Sequence, residues 1–237
     1  MADRSPRGSL SKSILLDAAL ELIDRGGVEN LSIRGLAKAV GRPPMSLYSH
    51  FRSKRELLDL AHERLLEHLM ATKKREDWVS EFEASSAHVR ELLLAHPHWI
   101  ALLTRVRVPA QVLAFYDRML DHMTKAGFRP EAAFYAFSAV MSHALGSVLV
   151  ERMLGGSPPV PQQRLAAVKA AMSDVPAGAY PRVAAALPQF DRWTFRRVFD
   201  VGCHALVTGL DECMPRRGGR HRRRGPTRIT MARLVGA

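Results

Sequence analysis

Between Leu31 and Glu56 the chain sets hydrogen-bond donors and positive charges among apolar residues in the run LSIRGLAKAVGRPPMSLYSHFRSKRE. Ser32, Arg34, Arg42, Ser46, Tyr48, His50 and Lys54 carry the chemistry. Arginine and lysine neutralise phosphate, and an arginine fork matches the two major-groove acceptors of guanine. Hydroxyl and imidazole groups donate to phosphate oxygens. That chemistry suits a polyanion better than a reaction. The ten histidines are scattered, and no HExxH, GxSxG or phosphate-loop pattern occurs, so no enzyme activity is expected.

The elements that position these groups are legible from local signals. Ser32 can cap a helix on which Ile33, Leu36, Ala37 and Val40 share one face. Gly41 ends it, because a residue without Cβ enters the left-handed region cheaply. Pro43 and Pro44 suit the first turn of a second helix, Met45 to Phe51, too short to be stable unless Leu47 and Phe51 are held inward. Ser53 and Glu56 form a capping-box pattern opening a third helix. A short, propped helix with polar residues outward fits a DNA major groove.

Charge is distributed to match. The 237-residue chain carries a formal net charge of +12. Residues 1–75 hold 14 Lys/Arg against 9 Asp/Glu, residues 76–214 hold 13 against 14, and residues 215–237 hold eight arginines and no acid. A basic head, a neutral body and a basic tail imply a polyanion partner and a separate task for the body. Cys203 and Cys213 are too few for a disulfide framework or a zinc site, so neither metal nor cofactor is expected, and a reduced cytoplasmic setting fits. The N-terminal MADRSPRGSLSKS lacks the apolar core of a secretory signal. The uncharged stretch 132–150 carries Ser138, Ser142, His143, Gly146 and Ser147, so a helix buried between protein surfaces is expected there and not a membrane span.

Taken in order, residues 1–9 read as a disordered arm. Ile14, Leu15, Ala18, Ala19, Leu22 and Ile23 mark an amphipathic helix stopped by Gly26-Gly27. After the helix–turn–helix, a long helix from Ser53 runs on toward the polar stretch Thr72 to Asp77. Helices follow around Trp78 to Leu93, His98 to Arg105, Pro109 to Gly127, Glu131 to Leu154 and Phe190 to Met214. Gln162 to Met172 is a further candidate, and Ser173 to Pro188 reads as a partly ordered connection. No strand pattern appears. The expected fold is all-α: a helix–turn–helix head over 10–72, a body over 73–214 and a disordered basic tail over 215–237.

Over Lys12 to Leu66 the sequence resembles the tetracycline-repressor (TetR) family of bacterial transcription regulators. The segments AALELIDRGGVENLSIRGLAKAVG and SLYSHFRSKRELLDL carry the resemblance, with Leu47-Tyr48, His50-Phe51, Lys54 and Leu57-Leu58 at the family's spacing. FYAFSAVMSHALGSVLVE and FDRWTFRRVFDVGCHALVTGLD resemble the late helices that pair subunits in the tetracycline-repressor subgroup. The resemblance implies an all-helical homodimer whose three-helix head binds a double-stranded operator and whose body binds a small-molecule effector, with repression the family's usual mode.

It also implies base-edge contacts from Arg34, Arg42, Pro44, Met45 and Ser46, with Arg34 placed where similar proteins reach a guanine. Phosphate contacts fall to Ser32, Tyr48, His50 and Lys54, although a tyrosine or histidine at helical spacing also serves as half-buried packing. Trp78, Phe82, Trp99, Leu103, Phe115, Met119 and Tyr135 are candidates to line an effector pocket, although each singly reads more readily as plain core. His143 is either an effector contact or a hydrogen-bonded interface histidine. In the tetracycline-binding subgroup a histidine of the short helix after the first body helix holds a metal-chelated drug. Here that helix reads WIALLTRVR, with His96 and His98 before it around Pro97, so an apolar or aromatic effector is expected. The rival reading is a sequence-indifferent, nucleoid-type DNA binder using the arginine-rich tail.

Overall fold

In the computed structural model the described residues are 11–105, 108–155, 166–168, 170–172, 178–188 and 193–213. The expected arm over 1–9 and tail over 215–237 lie outside them. Every regular element among the described residues is helical, and the chain forms two compact units: residues 1–72 with 95–117, and residues 73–94 with 118–237.

The first unit begins with α1 (Lys12–Gly26), capped by Ser11, whose hydroxyl accepts from the Ile14 amide at 3.4 Å. Gly27, at φ +77°, closes the helix with a 2.6 Å bond to the Ile23 carbonyl. A 3-10 turn (Val28–Asn30), α2 (Ile33–Ala39), α3 (Pro44–Leu47), α4 (Lys54–Met70) and a 3-10 helix (Pro97–Thr104) follow. The core comprises Leu15, Ala19, Ile23, Leu31, Leu36, Leu47, Phe51, Leu57, Ala61 and Leu65, all buried. Leu16 and Leu20 take places on the inner face of α1 that the sequence pattern assigned to Ile14 and Leu22; Ile14 is exposed. Two adjacent apolar pairs satisfy a helical period equally well, and only the position of α4 decides between them.

Polar pairs fix the α1–α4 crossing. The Arg64 fork grips both oxygens of Asp17, at 2.7 and 2.9 Å, and also reaches Glu67 at 2.8 Å. The hydrogen bonds from Arg64 hold the Asp17 carboxyl below its ordinary 3.8, against the opposing effect of partial burial. A carboxyl depressed by folding stabilises the native state above its unfolded pKa, and that contribution disappears as pH falls through the folded value. Asp17→Asn should therefore melt at a lower temperature than the natural protein near neutrality, with the gap closing as pH drops below 3.8. Calorimetry across an acid pH series measures it, and a gap that is constant with pH contradicts the pairing.

The second unit is built on α5 (Trp78–Ala95), with the later part of α6 (Ala110–Lys125), α7 (Pro130–Gly155), α8 (Pro181–Ala186) and α9 (Phe195–Cys213). α4 stops at Met70 instead of running on through the polar stretch. Asp77 instead starts α5, its carboxylate accepting from the Ser80 amide at 2.9 Å and the Ser80 hydroxyl at 2.8 Å. Burial raises the Asp77 pKa, but the Ser80 bonds outweigh it and leave the carboxyl below its ordinary value. Trp78, Phe82, Phe128 and Phe137 meet edge to face, at centroid distances of 5.7 Å (Trp78–Phe82), 5.1 Å (Trp78–Phe128) and 5.8 Å (Phe82–Phe137). α8 lies within the stretch read from its proline and alanine content as a connection. Pro181 fits its first turn, and it buries no residue.

α5 carries an unusual buried polar spine: Glu81, Ser85, Ser86 and Arg90. Buried charges need partners, and each ion has one. Arg118 Nε lies 3.1 Å from Glu81 Oε1. His122 Nδ1 lies 3.0 Å from Oε2, within ion-pair range though not aligned as a hydrogen bond. Arg90 pairs with Glu151 of α7 and sits over the Phe199 ring, 5.4 Å from its centroid.

α7 and α9 pack closely. His143 stacks on Phe199 (5.5 Å, 10° between planes) and its Nε2 meets the Phe199 carbonyl at 3.2 Å. Gly202 makes room for the ring, because a Cβ there would lie 2.4 Å from His143 Cε1. Val140, Ala144 and Val148 are buried, whereas Phe134, Tyr135, Leu149, Val150, Met153 and Leu154 of α7 are exposed. By length and composition α7 is apolar enough to cross a membrane, though a third of its span is buried within the protein.

Candidate nucleic-acid interface

The site is assembled from α2, α3 and the start of α4. Ser32 in extended conformation caps α2, its hydroxyl oxygen accepting from the Gly35 amide at 3.0 Å. This places Arg34 in the first turn, exposed. Gly41 turns the chain at φ +64°, and the Arg42 amide bonds the Ala37 carbonyl at 2.9 Å, closing α2.

α3 is shorter than the expected Met45–Phe51 helix. Only Pro44–Leu47 is α-helical, and Tyr48 to His50 form a turn. The physical reason is competition by side chains. The Ser46 hydroxyl donates to the Pro43 carbonyl at 2.6 Å and the Ser49 hydroxyl to the Ser46 carbonyl at 2.7 Å, offering the backbone a turn in place of a helix. Leu47 and Phe51, 1% and 0% exposed, hold the segment to the core as expected. Met45, 78% exposed, and Tyr48, 47% exposed, project outward with Pro44 and Ser46. An exposed thioether on so short an element gains nothing from its own fold.

α4 opens with Ser53, whose oxygen accepts from the Glu56 amide at 3.2 Å. The reciprocal half of the capping box differs from expectation: Glu56 Oε2 accepts from the Arg52 amide, at 2.7 Å. The Lys54 ammonium donates to the Glu29 carbonyl at 3.3 Å, which holds the exposed side chain across the α1–α2 turn. His50 is half-buried, with its ring 6.1 Å from Phe51 and tilted by 46°. Arg52, exposed between Tyr48 and Lys54, is a basic candidate that helix-period reading passed over. The signal was its place beside the buried Phe51.

The candidate pocket residues are divided between the two units. Trp99, Leu103 and Phe115 belong to the first unit; Trp78, Phe82, Met119, Tyr135 and His143 belong to the second. Trp78, Phe82, Phe115 and Met119 are buried, Leu103 is half-buried, and Trp99 packs within the first unit. Tyr135 is 60% exposed, beside Phe134. His143 is held by Phe199 of α9 within the same chain. His96 and His98 both turn to Asp24: His96 Nδ1 to its carboxylate at 2.9 Å, and His98 Nδ1 to its carbonyl at 2.7 Å.

A capped supporting helix, a short reading helix with buried props and a basic rim define a helix–turn–helix DNA-binding protein. Residues 15–61 match the family described as bacterial regulatory proteins, tetR family, and residues 71–214 match the tetracyclin repressor-like C-terminal domain. An HTH-type transcriptional regulator of Saccharopolyspora erythraea is 30% identical over 207 residues, covering 85% of this chain and 84% of that one. The class C tetracycline repressor of Escherichia coli is 32% identical over 146 residues, 60% of this chain and 67% of the repressor. In fold, a TetR regulator of Streptomyces coelicolor superimposes with a TM-score of 0.74 at 23% identity, over 87% of this chain and all of that one (100%). ActR of the same organism, solved in complex with actinorhodin, gives 0.67 at 20% identity, over 86% of this chain and 97% of that one. The chain belongs to the TetR family of transcriptional regulators.

Proposed function

We propose that this protein represses transcription as a cytoplasmic homodimer, binding a near-palindromic operator through two heads and releasing it when a small apolar or aromatic effector enters the body. One observation carries the DNA half of this reading: the exposed row Pro44, Met45, Ser46 and Tyr48 standing on the fully buried Leu47 and Phe51. Met45 offers a thymine methyl an apolar contact, Pro44 does the same, and Ser46 adds a hydroxyl. Arg34 and Arg42 flank the row and supply the hydrogen-bonded base readout. Ser32, Tyr48, His50 and Lys54 hold phosphate, with Lys54 already steadied by Glu29. The Ser32 hydroxyl oxygen is committed to its cap, which leaves its hydrogen for a phosphate oxygen.

A bidentate arginine–guanine pair is worth about 1–3 kcal/mol of discrimination. Arg34→Ala should therefore weaken the cognate operator selectively, whereas Lys54→Ala should weaken every sequence and flatten the salt dependence by about one unit. Titrations of cognate and random duplexes over a salt series separate the two. Equal losses from both variants on random DNA would overturn the assignment.

The homodimer reading rests on the bare sides of α7 and α9. Exposed Phe134, Tyr135, Leu149, Val150 and Met153 line one, and nothing lies within 4 Å of a Cβ built at Gly146 or Gly209. Glycines with open space before them let a second pair of helices approach closely. The effector reading rests on the short helix Pro97–Thr104, where Trp99 and Leu102 are buried, and on His96 and His98 being held by Asp24. ActR was solved in complex with a small molecule, actinorhodin. A thermal-shift screen of planar aromatics against the full chain tests the effector reading. Stabilisation by such compounds that also frees operator DNA is the expected result; stabilisation confined to charged, metal-chelated compounds contradicts it.

A further inference from the structure

Trp99 lies outside the DNA-reading set, yet several contacts converge on it. Its indole N–H donates to the Leu20 carbonyl of α1 at 3.1 Å. Its ring stacks on His96 at 3.9 Å with 10° between planes, and on His68, in the last turn of α4, at 6.1 Å and 27°. Each imidazole is tethered to an acid of α1: His96 to Asp24 at 2.9 Å, His68 to Asp17 at 3.2 Å. Asp17 is in turn the acid gripped by Arg64 of α4. Farther along the same segment, Arg105 Nε reaches Asp59 of α4 at 2.7 Å. Trp99 and Arg105 donate from the 96–105 segment to α1 and α4, while His68 and Arg64 of α4 both meet Asp17 of α1.

We propose that Trp99 is a positioning residue for operator recognition. It locks the C-terminal turn of α4 to the middle of α1 and so fixes the axis of the helix whose other end carries the reading turn. The path is short and rigid. Phe51, the buried prop under Tyr48 and Met45, is separated from α4 only by Arg52 and Ser53, and the Arg52 amide is bonded to Glu56 of α4 itself. At the same end Lys54 ties α4 to Glu29. With both ends of α4 secured, its axis and the reading turn cannot rotate independently of α1. Releasing the Trp99 end leaves the reading residues intact but lets their register on the bases wander. Phosphate contacts tolerate such wandering far better than bidentate base contacts do.

The test uses the full chain with Trp99→Leu, Trp99→Phe and His96→Ala. His96 is partly exposed, so its replacement keeps the fold if Trp99→Leu does not. Dissociation constants are measured on the cognate operator and on a random duplex. The ratio of the two should fall about tenfold in Trp99→Leu, as when one bidentate base contact is lost, and should fall less in His96→Ala. Trp99→Phe keeps a stacked ring and should restore much of the ratio. In a Trp78→Phe, Trp193→Phe background the remaining indole reports the lock directly, with emission shifted to the red in His96→Ala. An unchanged ratio, with cognate and random binding falling together, would show a merely structural tryptophan and overturn the proposal. So would a Trp99→Phe variant no better than Trp99→Leu.

Discussion

Replacing Glu81 with alanine should cost about 3 kcal/mol of stability, the lower end of what is lost when one partner of a buried ion pair is removed. Glu81 is fully buried and faces two bases, Arg118 and His122, from one face of α6. The side chain of Arg118 is about a third exposed, so water recovers part of its solvation; that of His122 is 11% exposed and has less recourse. The loss should appear as a lowered midpoint in chemical denaturation. Glu81→Gln separates charge from shape: it fills the same volume and can still accept from Arg118, so it should retain more stability than alanine. The double variant Glu81→Leu, Arg118→Leu should recover part of the loss, because it removes the Arg118 charge together with its partner and leaves only His122 facing the site. Alanine and glutamine variants of equal stability, both close to the natural protein, would contradict the pairing.

Gly146→Leu and Gly209→Leu should each leave the protomer folded and prevent it from pairing. Within one chain a Cβ at either position has nothing within 4 Å, and replacing glycine inside a helix removes a penalty of about 0.5–1 kcal/mol. The isolated protomer should therefore be no less stable than before. At the proposed interface the new isobutyl group holds two helices apart. Operator affinity should then fall by about a hundredfold or more, the usual gain from linking two binding modules. Sedimentation at micromolar concentration should show a monomer. A stable dimer in both variants would move the interface elsewhere.

The parts of the fold legible in the sequence are those governed by neighbouring residues. Ser32, Gly41, Ser53 and the pair Leu47 and Phe51 act within one or two turns, and each stands where its chemistry required. Family membership was legible for the same reason, since its signature lies in one continuous stretch. What escaped depends on distant partners. Glu81 and Arg118 are 37 residues apart, and Arg90 and Glu151 are 61 apart. Nothing local marks α5 as a helix with a buried ionic spine. Trp99 bonds Leu20, 79 residues earlier, and an indole on an apolar helix carries no local sign of so distant a partner. The α1 register failed for a similar reason: Leu16 and Leu20 face inward only because α4 lies there. α3 ended early because Ser46 and Ser49 bond the backbone, a local effect that periodicity does not score.

In the proposed dimer the head reads a particular DNA sequence as one of two symmetry-related copies. Footprinting the full chain on DNA flanking its own gene tests this most directly. One protected, near-palindromic site is expected, with half-sites about one helical turn or somewhat more apart. Protection should be lost in Arg34→Ala and retained when residues 215–237 are deleted. Salt-sensitive coating of any sequence, unaffected by Arg34→Ala and lost with the arginine-rich tail, would contradict it.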